Sequence, residues 1–213
     1  MELENVEQWA RCNNLRLNKL KSFEVIIHRR RWKPVDVLQI PGIARVEDLQ
    51  ILGVTFSPTL RVSKHVTNIL ARAQQAMHAL RILRAHGLPN AQIHSIFNSL
   101  VSSRLTYASP AWHGFLTVEE GLRLEALLRK ARRYGYARAD LPSLAETFAE
   151  RDEHLFQSII KEDQHVLKSV LPSRTNHNYN LRTRRHSLKL PLKTSQITTD
   201  CLFISRMLYK DIY

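Results

Sequence analysis

Apolar positions recur along this chain at two different periods, and the change falls near residue 60. Ahead of it the signals are short. Leu3, Val6 and Trp9 step by three, enough for one apolar stripe on a helix over Glu2 to Cys12. Asn13-Asn14 offers a stop, because asparagine tolerates the left-handed conformation. Leu15 and Leu17 alternate with polar residues. The β-branched run Phe23, Val25, Ile26, Ile27 predicts a strand over Phe23 to His28. Val35, Val37 and Ile40 predict another, followed by the turn dipeptide Pro41-Gly42. Val46 to Phe56 carries Leu49, Ile51, Leu52 and Val54. It reads as one more strand, interrupted by Gly53, and as the seam between a sheet-bearing part and a helical part.

Beyond residue 60 the period becomes helical. Val62, Val66, Ile69, Leu70, Ala73, Met77, Leu80 and Leu83 recur at steps of three and four, which predicts one long amphipathic helix ended by Gly87. Its other face carries Arg61, Lys64, Asn68, Arg72 and Gln75. Ile93, Ile96, Phe97, Leu100 and Val101 predict a second helix, antiparallel to the first across a short link. Tyr107 to Phe115 is aromatic, punctuated by Pro110 and Gly114, and reads as a packed connection. Thr117 and Glu120, then Ser143 and Glu146, have capping-box spacing, so each opens a helix. The first runs to Gly135 and the second ends by Pro172. Ser173 to Lys193 is polar with weak periodicity and predicts loose order, and Cys201 to Tyr209 regains apolar spacing.

Composition sharpens this picture. Apolar residues make up 44% of 213, enough for a real core. Cys12 and Cys201 sit far apart, which is no disulfide framework and points to a reducing compartment. No run of about 18 apolar residues suggests a membrane span. The acidic, amphipathic N-terminus fits neither a secretory signal nor a transit peptide. The net charge is +13 and the pI about 10.2. Such a surplus favours a polyanionic partner, since each Lys or Arg that meets a phosphate releases condensed counterions. The alternative is a basic protein that is merely soluble.

The charge is also unevenly spread. Positions 49 to 118 hold no Asp or Glu but six Lys/Arg and five His. Helices exposed to water normally mix both signs, so excluding carboxylates over two helices makes sense beside a phosphate backbone. A second basic patch, Tyr179 to Lys193, contains Arg182, Arg184 and Arg185 and reads equally as a binding tail or a solvated segment. His28 to Pro34 reads as a solvated basic loop, with phosphate contact and stacking on Trp32 as the sharper alternative. Catalytic constellations are scarce. No phosphate-binding glycine loop and no nucleophile elbow occurs. The histidines lack H-x-x-x-H spacing, so no metal site is expected. The adjacent acids do not sit on a strand–turn–strand where two metal ions would need them.

Several segments together resemble the C-terminal third of reverse transcriptases from non-LTR (LINE-type) retrotransposons. They are WARCNNLRLNKLKS, LQILGVTF, HVTNILARAQQAMHALRILRAHGLP, LTYASPAWHGF and LPLKTSQITTDCLFISRMLYKDIY. The order and spacing carry the resemblance more than any single motif. It implies an α+β, mainly α fold in three parts. Residues 1–58 would be a small antiparallel palm remnant, 59–137 a helical thumb, and 138–213 a basic helical tail. Asn18 to Lys21 resembles motif D, so Lys21 would help protonate the leaving pyrophosphate. Leu52, Gly53 and Val54 resemble motif E, the primer grip. Lys64, Arg72, Arg182, Arg184 and Arg185 would contact nucleic acid.

The family's catalytic aspartates lie upstream of the matched segments. The resemblance therefore implies a fragment of an RNA-directed DNA polymerase that is inactive alone. It would bind RNA template and RNA–DNA or DNA primer duplex, and it could associate with the missing upstream segment. It would bind no cofactor itself, the Mg2+ ions belonging to the complete enzyme, and would reside in the nucleus or a cytoplasmic ribonucleoprotein. A stand-alone nucleic-acid-binding module and a relic without function are the competing readings.

Overall fold

A computed structural model describes residues 2–29, 37–175, 186–193 and 200–210 of the chain. The fold is α+β and mainly helical, and it divides into two compact units, Met1–Arg61 and Val62–Tyr213.

The first unit opens with helix α1 (Glu2–Cys12). Its end is closed around Asn14 (φ 55°), where Asn14 N donates to Arg11 O and Leu15 N to Ala10 O. A single 3-10 turn, Lys19–Lys21, follows. Asn18 caps it, its side chain accepting from the amides of Leu20 and Lys21 at 3.1 and 3.3 Å. The strands are very short. β1 (Phe23–Glu24) pairs in parallel with β2 (Ala44–Arg45), and β3 (Leu49–Ile51) pairs antiparallel with β4 (Val54–Phe56). The Glu24 carboxylate accepts from Arg45 Nε at 2.5 Å and from the Ile40 amide at 3.2 Å, fastening the parallel pair.

Three sequence expectations are corrected here. The strand over Phe23 to His28 stops at Glu24, because the His28 amide donates to Pro58 O instead of to a neighbouring strand. No strand covers 37 to 43; Val35, with Trp32, lies outside the described residues. Val46 to Phe56 is not one strand but a hairpin. Leu52 (φ 46°) and Gly53 (φ 89°) form its two-residue loop, and Ile51 faces Val54 across it. Positive φ at both loop positions is the type I′ geometry that matches strand twist. Asn-Gly or Asp-Gly usually marks this turn, and Leu-Gly conceals it. Ala10, Ile43 and Val54 are buried in this unit, whereas Trp9 and Leu20 stay 61% and 91% exposed.

The second unit is built on α2 (Ser63–Ala85), whose buried stripe runs through Val66, Ile69, Leu70, Ala73, Met77 and Leu80. Burying a side chain of the Leu or Ile class stabilises by about 1.5–3 kcal/mol, so this stripe anchors the unit. Against it pack α3 (Asn90–Phe97), a π-helical turn (Asn98–Ser102) and α4 (Ser103–Thr106). The π turn has a reason in the sequence. Ile93, Phe97, Val101 and Leu105 are all essentially fully buried, at strict four-residue spacing. In an α-helix that spacing drifts about 40° per step. The wider π turn takes up the drift and keeps the four on one face.

The expected capping boxes are both present, opening α6 (Val118–Arg133) at Thr117 and α7 (Leu144–Lys161) at Ser143. Between them, α5 (Ser109–Trp112) buries Trp112 completely, its Nε1 donating to Tyr107 O at 2.8 Å. The distal segment is better packed than its composition predicts. α8 (Phe203–Tyr209) lies against α7, where Phe156, Leu188, Met207 and Leu208 form a buried cluster. Arg174 bridges to Leu188. Of the stretch expected to be loosely ordered, the described residues 173–175 and 186–193 therefore belong to the second unit.

Candidate nucleic-acid interface

The acid-free stretch spends part of its charge inside the unit. His65 is buried against Trp112, ring centroids 5.0 Å apart, and burial holds its pKa below the ordinary histidine value. Arg84 donates to the carbonyl oxygens of Tyr134 and Gly135, the latter at 2.7 Å, and its guanidinium lies over the Tyr136 ring at 4.6 Å. It thereby supplies donors to carbonyls left open at the end of α6. His113 faces Asp152. These three spend their polar side chains on contacts within the unit.

Two other basic residues of the stretch, His78 and Arg81, share a groove with Arg123 and Lys130 from beyond it. α2 and α6 pack side by side and leave a groove of about 460 Å³ between them. Gln74, His78 and Arg81 line one wall, at the i, i+4, i+7 spacing that keeps side chains on one helix face. Arg123 and Lys130 line the other, two turns apart on α6. Leu70, Met77 and Leu127 form an apolar floor, and Tyr134 and Tyr136 close one end. Among the described residues lining the groove none is acidic. Such a channel attracts a polyanion and offers apolar surface below the charge.

A second polar cluster is buried beside α7. The Asp152 carboxylate, 4% exposed by residue, accepts at 2.8 Å from Arg206 Nη2 and lies 2.8 Å from His113 Nε2. Burial pushes its pKa up, but the hydrogen bonds and charges of His113 and Arg206 outweigh this and hold it below the usual carboxylate range. Arg206 also donates to the carbonyls of Cys201 and Pro110. Gly114 leaves room for this arginine, since a Cβ there would come within 2.1 Å of Nη1. The cluster ties α8 to α5 and α7.

Sequence reasoning chose Lys64 and Arg72 as contacts on α2. Both are exposed, but neither lines the groove. Nine residues separate Arg72 from Arg81, which sets them about 180° apart around the helix. The groove residues Arg81, Arg123 and Lys130 were not selected, because the pairing of α2 with α6 is invisible in local spacing. The described residues include neither Arg182 nor Arg184 nor Arg185. Lys21 is exposed at the end of its 3-10 turn. Leu52 stands 87% exposed at the hairpin tip beside Gly53, while Val54 is 3% exposed and turns into the first unit. Among the described residues no three His, Cys, Asp or Glu gather as metal ligands, and no helix is long and apolar enough to cross a membrane. Compared with known proteins, the chain matches no family model, no curated protein and no solved structure.

Proposed function

We propose that this chain binds nucleic acid through the groove between α2 and α6, as the thumb-containing part of an RNA-directed DNA polymerase of the non-LTR retrotransposon type. The observation that carries the reading is the convergence of His78, Arg81, Arg123 and Lys130 from two helices onto one acid-free channel. In this reading the first unit is the end of the palm, the hairpin tip at Leu52-Gly53 is the primer grip, and Lys21 sits in motif D. Lys64 and Arg72 supply a second line of contacts along α2. Its partners are RNA template and primer duplex, inside the nucleus or a ribonucleoprotein.

The chain's own share is to hold the strand. The described acids do not converge as two-metal nucleotidyl transfer requires, and no step through Mg2+ is assigned to these residues. A stand-alone binding module is the second reading, favoured by the groove lying wholly within Val62–Tyr213.

Fluorescence anisotropy of labelled RNA and DNA tests the binding. Wild type binds with an affinity that falls steeply as salt rises, and Arg81→Glu with Arg123→Glu abolishes it. Equal binding by that double variant overturns the reading. A polymerase origin is tested by adding the upstream coding segment and assaying primer extension on an RNA template; no gain of activity argues for the stand-alone module.

A further inference from the structure

We infer that the α2–α6 groove takes a single strand of nucleic acid, with one base unstacked onto Tyr134; this rests on the reading that the groove meets nucleic acid at all. Three observations point to a single strand rather than a duplex. The first is the width. Helices in contact have axes about 8–10 Å apart, so the valley between them admits one strand, and a duplex would ride on its rim. The second is the floor. Leu70, Met77 and Leu127, each 6–7% exposed, leave only a narrow strip of apolar surface below the cations. A duplex turns its phosphates outward and hides its bases, so it would leave that floor uncovered. A single strand can lay bases on it while its phosphates meet Arg81, Arg123 and Lys130.

The third is the aromatic end. Tyr134 is 42% exposed and sits just past the last turn of α6. Its main chain is held, because Gly135 N donates to Arg132 O, Tyr136 N donates to Ala131 O, and Arg84 binds the Tyr134 carbonyl. Its ring meets Tyr136 edge-on, centroids 5.8 Å apart. Lys130 Nζ and Arg133 Cζ lie 5.7 and 5.2 Å from the Tyr134 centroid. A fixed ring with cations beside it is the pairing that single-strand sites use, stacking for the base and charge for the phosphate. Base stacking is the stronger of the two ring interactions, so an arriving base displaces a cation from the ring and leaves it free to meet the strand. Either RNA or DNA supplies this chemistry, since both present a base and a phosphate.

The test uses the full chain with labelled oligo-U, oligo-dT and a blunt DNA duplex at one salt concentration. Both single strands are expected to bind more tightly than the duplex. Tyr134→Ala weakens single-strand binding about 5- to 150-fold and leaves the duplex unchanged. Tyr134→Phe keeps the wild-type affinity, and Tyr134→Trp tightens it. Circular dichroism of each variant identifies any loss of fold, and the Phe and Trp variants decide the matter should the Ala variant not fold. A duplex bound as tightly as the single strands overturns this inference, as does a Tyr134→Trp variant that binds them more weakly. If none of the three probes binds, the proposed function falls with it.

Discussion

The carboxylate of Asp152 on α7 lies 2.8 Å from the guanidinium of Arg206 on α8, in a site where the aspartate is almost completely buried. A charge removed from water this way is tolerable only while its partner is present. Breaking a buried pair by deleting one member costs about 3–5 kcal/mol, far more than losing a surface ion pair. Arg206→Ala is therefore expected to destabilise the second unit by about that amount in urea unfolding. The paired replacement Asp152→Leu with Arg206→Met is expected to be milder than either single change. A loss below about 1 kcal/mol for Arg206→Ala would show that the pair does not hold α8.

Two pH windows follow, from different groups. Asp152 has a folded pKa below its unfolded value, so its contribution is present above about pH 4 and is lost as pH falls through the folded value. His65 is a base kept neutral by burial, so the unfolded chain binds its proton first. Stability from His65 is full above about pH 6.5 and declines as pH falls below it. Thermal melts across pH are expected to show both slopes. His65→Phe removes the upper one and Asp152→Asn flattens the lower one.

Gly114 is required by what lies opposite it. A methyl group there would meet Arg206 Nη1 at 2.1 Å and Cys201 O at 2.3 Å. Overpacking of this kind costs about 1–3 kcal/mol. Gly114→Ala is expected to loosen α8, seen as faster proteolysis within 200–210, at unchanged protection of α2. Unchanged cleavage would show that the arginine can move aside.

Leu52 holds a left-handed conformation that costs a leucine about 1–2 kcal/mol. Leu52→Gly is expected to slow amide exchange across β3 and β4 by relieving that strain, and Gly53→Val to speed it. If Leu52→Gly slows exchange yet weakens binding to a primed template, the leucine is kept for contact rather than for the turn.

Groove charge can be counted by salt titration. Each phosphate contact on a single strand contributes about −0.7 to the slope of log affinity against log salt. Arg123→Gln is expected to make that slope shallower by about this amount, and Lys64→Gln to change it less. Equal effects would place the strand along the outer face of α2 instead.

Helices were legible from residue pattern because their signals are local. Thr117 with Glu120, Ser143 with Glu146, and the stops at Asn14, Gly87 and Gly135 lie within a turn of the bonds they make. The hairpin was not legible, since Leu-Gly gives no turn signal and the apolar residues on either side read as continuous. The π turn leaves a trace, the four-residue spacing from Ile93 to Leu105, that is easily taken for an ordinary helix. The basic character of α2 was visible, but not which cations share a groove. That depends on α6 packing alongside, as Arg81 and Arg123 become neighbours only in three dimensions.

The Asp152 site also imposes an order in time. Arg206 follows Asp152 by 54 positions and His113 by 93. At about 5–20 residues per second, a ribosome takes on the order of 3–10 s to travel from the acid to its counter-ion. Throughout that interval the Asp152 carboxylate has His113 but no guanidinium beside it, so burying that face of α7 costs more than it does in the finished fold. Packing of α8 onto α7 is therefore the last step at this spot, completed when Arg206 reaches the carboxylate.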